Sequence, residues 1–385
     1  MFAYSPAMST LIDMRRAREP DPAALGDGRY TAFDAHARGR GAKVNMSGRF
    51  ETLSRSLFDD GWQGLEDLPP FRTEVFEEAP KTIITRNDSP DVGFDRSINP
   101  YRGCEHGCGY CYARPAHSYM GLSPGLDFES KLFAKANAPE LLRAELSARG
   151  YEPRTIALGA NTDAYQPIER ERKITRRILE VLAQFNHPVG IVTKSALVTR
   201  DIDILAPMAK KGLVKVALSI TSLDRMLARA MEPRASTAAK RLEAIAQLSA
   251  AGIPTVVMVA PIIPAVNDSE IEAILKAAHA AGAREAGYVM RRLPHAVKDV
   301  FSDWLQAMMP ERAARVMSLV RSSSGGKDYD SGFGRRQTGT GPYAWTIGRR
   351  FELACQRLGL NASKLKLSTQ HFCRPPQKGE QLTLL

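Results

Sequence analysis

The sequence predicts an α/β protein of six β-α units around a parallel sheet, with an N-terminal extension and a C-terminal helical, basic appendage. Three observations carry this. Between about residues 97 and 310, short β-branched or apolar runs alternate with helical stretches. Four helical stretches stop at a glycine (Gly150, Gly212, Gly252, Gly282) with a strand close behind, as short αβ connections do. Outside these limits the alternation is lost, so the chain divides into an extension (1–95), a core (96–310) and an appended segment (311–385). The 385 residues, 44% of them hydrophobic, suffice for a sizeable core.

The expected elements follow in order. The first forty or so residues, rich in Ala, Gly, Pro, Arg and Asp, are expected to be poorly ordered. Glu74–Thr85 is expected to dock onto the core as an extended piece. Strands are expected at Ser97–Gly103, Thr155–Gly159, Val189–Thr193, Val214–Ile220, Thr255–Ala260 and Ala286–Met290. Helices are expected at Pro139–Arg149, Arg170–Phe185, Arg200–Lys211, Ala235–Ala251, Asp268–Ala281 and His295–Met309. Asn267 reads as an N-cap ahead of acids in the first turn. Beyond residue 310, Glu311–Arg321 and Pro342–Leu358 read as helices joined by a Gly-, Ser- and Arg-rich loop. Right-handed crossovers wrap such units into a barrel or a doubly wound sheet. In both, ligands gather in the loops after the strands.

Three of the five cysteines, Cys104, Cys108 and Cys111, fall in one nine-residue run with the spacing C-x3-C-x2-C, directly after the first expected strand. Structural zinc sites and ordinary ferredoxin clusters are closed by four protein ligands. Three thiolates leave one metal position open. The alternatives are a zinc site completed by His106 or His117, and three unrelated core cysteines. Glycines at 103, 107 and 109 let backbone approach a bulky inorganic core. Clustered thiols plus isolated Cys355 and Cys373 point to a metal site in a reducing compartment, not a disulfide framework.

The other expected strand-end loops supply polar groups on the same face. Ala160-Asn161-Thr162-Asp163 can accept hydrogen bonds from an ammonium group or simply hold its own turn. Lys194 suits a carboxylate or phosphate, and Ser219 a ribose or carboxylate. Arg234 can fork onto a carboxylate, and Arg291 and Arg292 can face substrate.

The formal net charge is +11, and residues 321–385 hold eleven Lys/Arg against four Asp/Glu. Such a basic tail suits either an anionic polymer or a solvated face. No run of eighteen apolar residues occurs and nothing in the first thirty residues reads as a signal peptide, so no membrane span and a cytoplasmic location are expected.

These words together resemble the radical S-adenosylmethionine (SAM) superfamily, in its spore photoproduct lyase-like branch, also called DNA repair photolyase-like. The resemblance covers about 96–300 and is carried by Asn99–Cys104, the cysteine triplet, Tyr112-Ala113-Arg114, Thr162–Pro167, Thr193-Lys194-Ser195 and Glu232-Pro233-Arg234. It implies a partial (βα)6 TIM-type barrel in which Cys104, Cys108 and Cys111 hold a [4Fe-4S] cluster whose fourth iron is chelated by SAM. It implies one-electron reduction by an external flavodoxin- or ferredoxin-type donor and cleavage of SAM to a 5′-deoxyadenosyl radical that takes hydrogen from the substrate. It places Tyr110 near the adenine and Ala160, Asn161 and Asp163 at the amino group. Lys194 and Ser219 match further cofactor contacts, and Arg234 matches one more loosely. The lyase keeps a hydrogen-donating cysteine where this chain has Ala160, so its particular reaction is not implied. The substrate stays unidentified, with nucleic acid as one candidate class. The rival reading is a non-catalytic iron–sulfur redox sensor or nucleic-acid-binding protein, which needs no cofactor pocket.

Overall fold

The computed structural model describes residues 39–50 and 72–375. The segment expected to be poorly ordered at the N-terminus lies largely outside these residues. Ten strands occur among them: β1 (Glu74–Glu77), β2 (Thr85–Arg86), β3 (Arg96–Ile98), β4 (Tyr101–Arg102), β5 (Lys131–Ala134), β6 (Ile156–Leu158), β7 (Val189–Thr193), β8 (Val214–Ser219), β9 (Thr255–Ile262) and β10 (Glu285–Met290).

Six strands form a parallel array in the order β10-β9-β8-β7-β6-β3, and β2 adds antiparallel to β3 at the edge. Each parallel strand lies beside its neighbour in that series, with register such as Ile156 opposite Val189 and Val189 opposite Val214. A doubly wound sheet reverses direction at a switch point. This order never reverses, as a barrel requires. No pairing of β10 with β3 occurs among the described residues, so the barrel is partial, as expected. β6 is apolar and buried throughout and β8 nearly so, whereas β10 at the edge is half-buried.

The helices close the outside. Ile174–Gln184 buries Ile174, Ile178, Leu179, Val181 and Leu182, the face that a 3.6-residue repeat predicts. Ala238–Ala250 starts at Thr237, whose hydroxyl accepts from the Lys240 amide. Gly212, Gly252 and Gly282 have positive φ at helix ends as expected. Gly150 does not, because its helix, Ala138–Ser147, ends earlier.

Several boundaries differ from the sequence reading. The expected strand Ser97–Gly103 is two strands in two sheets, since Pro100 has no N–H to continue a ladder. β4 instead joins β5 and β1 in a three-stranded sheet beside the cysteine loop. The expected helix Arg170–Phe185 breaks at Lys173, which has φ 51°. A helix at Arg225–Met231, capped by the Asp224 carboxylate, was not read from the sequence. Asn267 caps nothing with its side chain. It accepts from the Ile263 amide at 2.7 Å and donates to the carbonyls of Thr221 and Pro261, locking two loops together.

The flanking segments pack on the barrel. Gly41 and Ala42 donate their amides to the two Glu129 oxygens at 2.9 and 2.7 Å, and Val44 accepts from the Leu126 amide. The helix Gly341–Leu358 lies against Ile271–Ala280, tied by Arg350 to Glu272. The Asn361 side chain pairs with the backbone of Ala286 on the edge strand β10.

Candidate metal centre

The loop 103–111 emerges from β4 and is held from several directions. The Cys104 amide donates to the Phe128 carbonyl, and the Gln166 carboxamide bridges the Glu105 amide and the Gly103 carbonyl. Arg114, fully buried, donates to the Cys108 carbonyl at 2.8 Å and to Glu129. Gly107 has φ 66°, and a Cβ there would meet Glu129 at 2.8 Å, so the loop needs glycine at this point.

The three thiols are unbridged, with Cys104 and Cys108 buried and Cys111 half-buried. Burial pushes all three upward, Cys108 to about 12, and Cys104 is raised further by Asp163 and by the other two thiols. They therefore stand within electrostatic reach of one another. Lys194 acts in the opposite sense on Cys108 and Cys111. Among the described residues, no three His, Cys, Asp or Glu side chains gather closely enough to hold a single metal ion.

A network of buried charge surrounds the thiols. Asp163, after β6, accepts from the Lys194 amide at 2.7 Å, the Thr193 hydroxyl at 2.7 Å and the Tyr165 amide at 2.9 Å, and His106 Nδ1 lies 3.4 Å away. Burial alone would raise this carboxyl, but His106 and these donors outweigh it and hold it well below the carboxylate range. Glu232 takes the Tyr110 hydroxyl on one oxygen and Arg241 on the other. Arg241 also donates to the Ser219 carbonyl at 2.7 Å. Burial would raise Glu232, but Arg241 and then Lys194 overcome it and lower it. Lys194, half-buried, holds Nζ 5.9 Å from the Tyr110 ring centre. Burial lowers it, yet Glu232 and Cys108 more than compensate, so it stays above its ordinary value.

The residues read from the sequence thus separate. Lys194, Tyr110 and the cysteines come together. Buried Ser219 ends β8 in the same network. Asn161 is exposed, with its amide on the Asn99 side chain, and the Ala160 carbonyl accepts from Tyr112. Asp163 faces inward and pins the strand ends. Arg234, partly exposed, pairs through one guanidinium nitrogen with Glu105 at 3.0 Å, and its amide donates to the His106 carbonyl. Glu232, Arg241, Gln166 and Glu129 were assigned no role from the sequence, and His106 only that of a zinc ligand. Signals existed for Glu232, in the quoted Glu-Pro-Arg word, and for Gln166, in the quoted run Thr162–Pro167.

A parallel partial barrel with a three-thiol loop at the ends of its strands has the frame of an α/β-barrel enzyme, whose site lies at that mouth. Comparison makes the class specific: the radical SAM superfamily profile matches residues 98–278. An uncharacterized protein of Mycobacterium tuberculosis is 33% identical over 286 residues, covering 74% of this chain and 78% of the relative. One of Methanocaldococcus jannaschii is 32% identical, covering 52% of this chain and 71% of the relative. A spore photoproduct lyase variant solved with bound AdoMet and dinucleoside spore photoproduct superposes with a TM-score of 0.54 at 17% identity, covering 74% of this chain and 80% of that one, which shows a shared fold. The chain belongs to the radical SAM superfamily and is a radical SAM enzyme. The family implies SAM and an iron–sulfur cluster. Three unbridged thiols in mutual electrostatic reach, with Lys194 facing two of them, fit such a group. Among the described residues no helix is long and apolar enough to cross a membrane.

Proposed function

We propose that Cys104, Cys108 and Cys111 ligate three irons of a [4Fe-4S] cluster and that SAM completes the fourth. When bound and reduced by one electron, this group supplies SAM cleavage to methionine and a 5′-deoxyadenosyl radical that abstracts hydrogen from the substrate. The observation that carries the reading is the thiol loop itself: three unbridged thiols that act on one another's charge, beside Lys194, on the loop that follows β4.

The chain's own residues bind and orient. Lys194 supplies a cation beside the thiolates and faces a carboxylate of the cofactor. Tyr110, fixed by Glu232, provides a ring for the adenine, with Ser219 on the neighbouring strand end. The Ala160 carbonyl and Asn161 accept from the amino group. Asp163 and Arg234 are positioning residues, one pinning strand ends and the other clasping the cysteine loop. A flavodoxin- or ferredoxin-type donor supplies the electron. Unbridged thiols support a cytoplasmic setting. The basic C-terminal segment supports nucleic acid as the substrate class. Ala160 has no thiol hydrogen to return to a product radical, so the quenching step of the lyase is not carried over to this chain.

Anaerobic reconstitution tests this. The expected result is about four irons per chain by the cluster assignment, 5′-deoxyadenosine formed from SAM on reduction, and loss of both in Cys108→Ala. Zinc without iron, or a full cluster with no cleavage, sinks the enzymatic reading; the second outcome favours the sensor.

A further inference from the structure

β10 ends at Met290, and two arginines follow. Arg292 lies over Tyr112, its guanidinium carbon 4.8 Å from the ring centre, next to the cysteine loop. Arg291 instead lines a cleft between the strand end and the segment that follows the helix Pro310–Ser322. The cleft is narrow, with room for about one water molecule (about 10 Å³), and it opens to solvent.

Arg291 is 5% exposed, and among the described residues its guanidinium has neither ion-pair partner nor hydrogen-bond acceptor; its Nε is a buried donor left bare. The other buried arginines are all matched: Arg40 by the Glu129 carbonyl, Arg96 by Asp95, Arg114 by Glu129 and Arg241 by Glu232. A buried charge without a partner is costly, and an arginine cannot escape by losing its proton under ordinary conditions. Ser323, lining the same cleft and 3% exposed, also has a hydroxyl with no partner. The acids nearby are committed elsewhere. Asp328, whose charge reaches Arg291 without touching it, pairs with Arg321 at 2.7 Å; Asp330 pairs with Arg335 at 3.3 Å, and Asp91 takes Arg336. One positive charge and one hydroxyl, from two different elements, are therefore left facing the same space.

We infer that this cleft is an anion site that takes a phosphate group, with Arg291 supplying the charge and Ser323 a hydroxyl donor. A guanidinium fork matches two oxygens of a phosphate, and a third oxygen remains for the hydroxyl. Arg292 ties the next residue to Tyr112, so a phosphate held here anchors its bearer beside the barrel mouth. The inference rests on the unmatched side chains and stands whether or not the radical reading holds.

Calorimetric titration of the full chain in phosphate- and sulfate-free buffer tests it. Inorganic phosphate should bind saturably and raise Tm with concentration. Affinity should fall at least tenfold in Arg291→Gln, fall less in Ser323→Ala, and persist in Arg349→Gln, which removes the same charge from an exposed site. Arg291→Met should melt above the wild type without phosphate, because it removes an unpaired buried charge, and should lose the phosphate response. A 5′-phosphorylated oligonucleotide and its unphosphorylated twin distinguish the sources. Preference for the phosphorylated strand over inorganic phosphate assigns the anion to nucleic acid, and parity assigns it to a free phosphate. No phosphate binding by the wild type, equal loss in Arg349→Gln, or an Arg291→Met variant that melts lower overturns the inference.

Discussion

The Tyr110 hydroxyl donates to Glu232, a carboxylate 122 positions further along the chain. This joins the residue before the last cysteine to the loop after β8. Arg241 holds the second oxygen of Glu232, and both charges are buried. Removing one partner of such a pair costs about 3–5 kcal/mol, whereas replacing both with apolar groups is often neutral. Arg241→Ala should therefore destabilise by about that amount in urea unfolding, and Arg241→Met with Glu232→Leu should recover most of it. Strictly additive losses would show that the two do not act as a pair.

Gln166 is the clamp on the cysteine loop, bonding the Gly103 carbonyl at 3.1 Å and the Glu105 amide at 2.9 Å. Gln166→Ala leaves both backbone groups buried without their partner, at about 1–3 kcal/mol each. The expected outcome is lower stability together with less iron retained per chain after gel filtration. Unchanged iron content would separate the clamp from the metal centre.

Gly41 packs so closely on the loop that a Cβ would lie 1.6 Å from the Gly107 carbonyl oxygen. Gly41→Ala must therefore lift the strap and strip its amides from Glu129. Overpacking of this kind costs about 1–3 kcal/mol. Limited proteolysis near residue 41 should accelerate several-fold while the barrel stays intact, and an unaltered cleavage rate would refute the contact.

Burial lowers His117 and His187 from 6.5 to about 4. His187 donates from Nδ1 to the Pro188 carbonyl and accepts from the Tyr151 hydroxyl at 2.8 Å, an arrangement of the neutral ring. As pH falls below about 6.5 the unfolded chain takes up these protons and the folded one resists them. Stability should thus fall between pH 6.5 and about 4 and level off below, by on the order of 3 kcal/mol per ring. His187→Phe should flatten the slope by about half in that window. An unchanged slope would assign the acid sensitivity to other groups.

How much of this was legible depends on the distance over which each feature is decided. The thiol spacing and the six parallel strands are local patterns, and they appear where they were expected. The break of the first strand was also local, since Pro100 announces it, but the second sheet that β4 joins depends on β5 from thirty residues away. Arg234 has the chemistry for a ligand, and its pairing with the distant Glu105 could not be read from the chain. Asp163 had the right position and turned inward, because buried donors from Lys194 and Thr193 offer it more than an open loop does.

The sequence by itself determined the periodicity of the elements, the glycine stops after three helices and the three-thiol grouping, because each is set by neighbours along the chain. Only the tertiary structure decided which charge meets which. It joined Glu232 to Arg241 and Tyr110, set His106 beside Asp163, tucked the strap at Gly41 under the cysteine loop, and left the buried Arg291 Nε without a hydrogen-bond partner among the described residues. Pairings of that kind are made by packing between distant segments, where burial magnifies both a match and the lack of one.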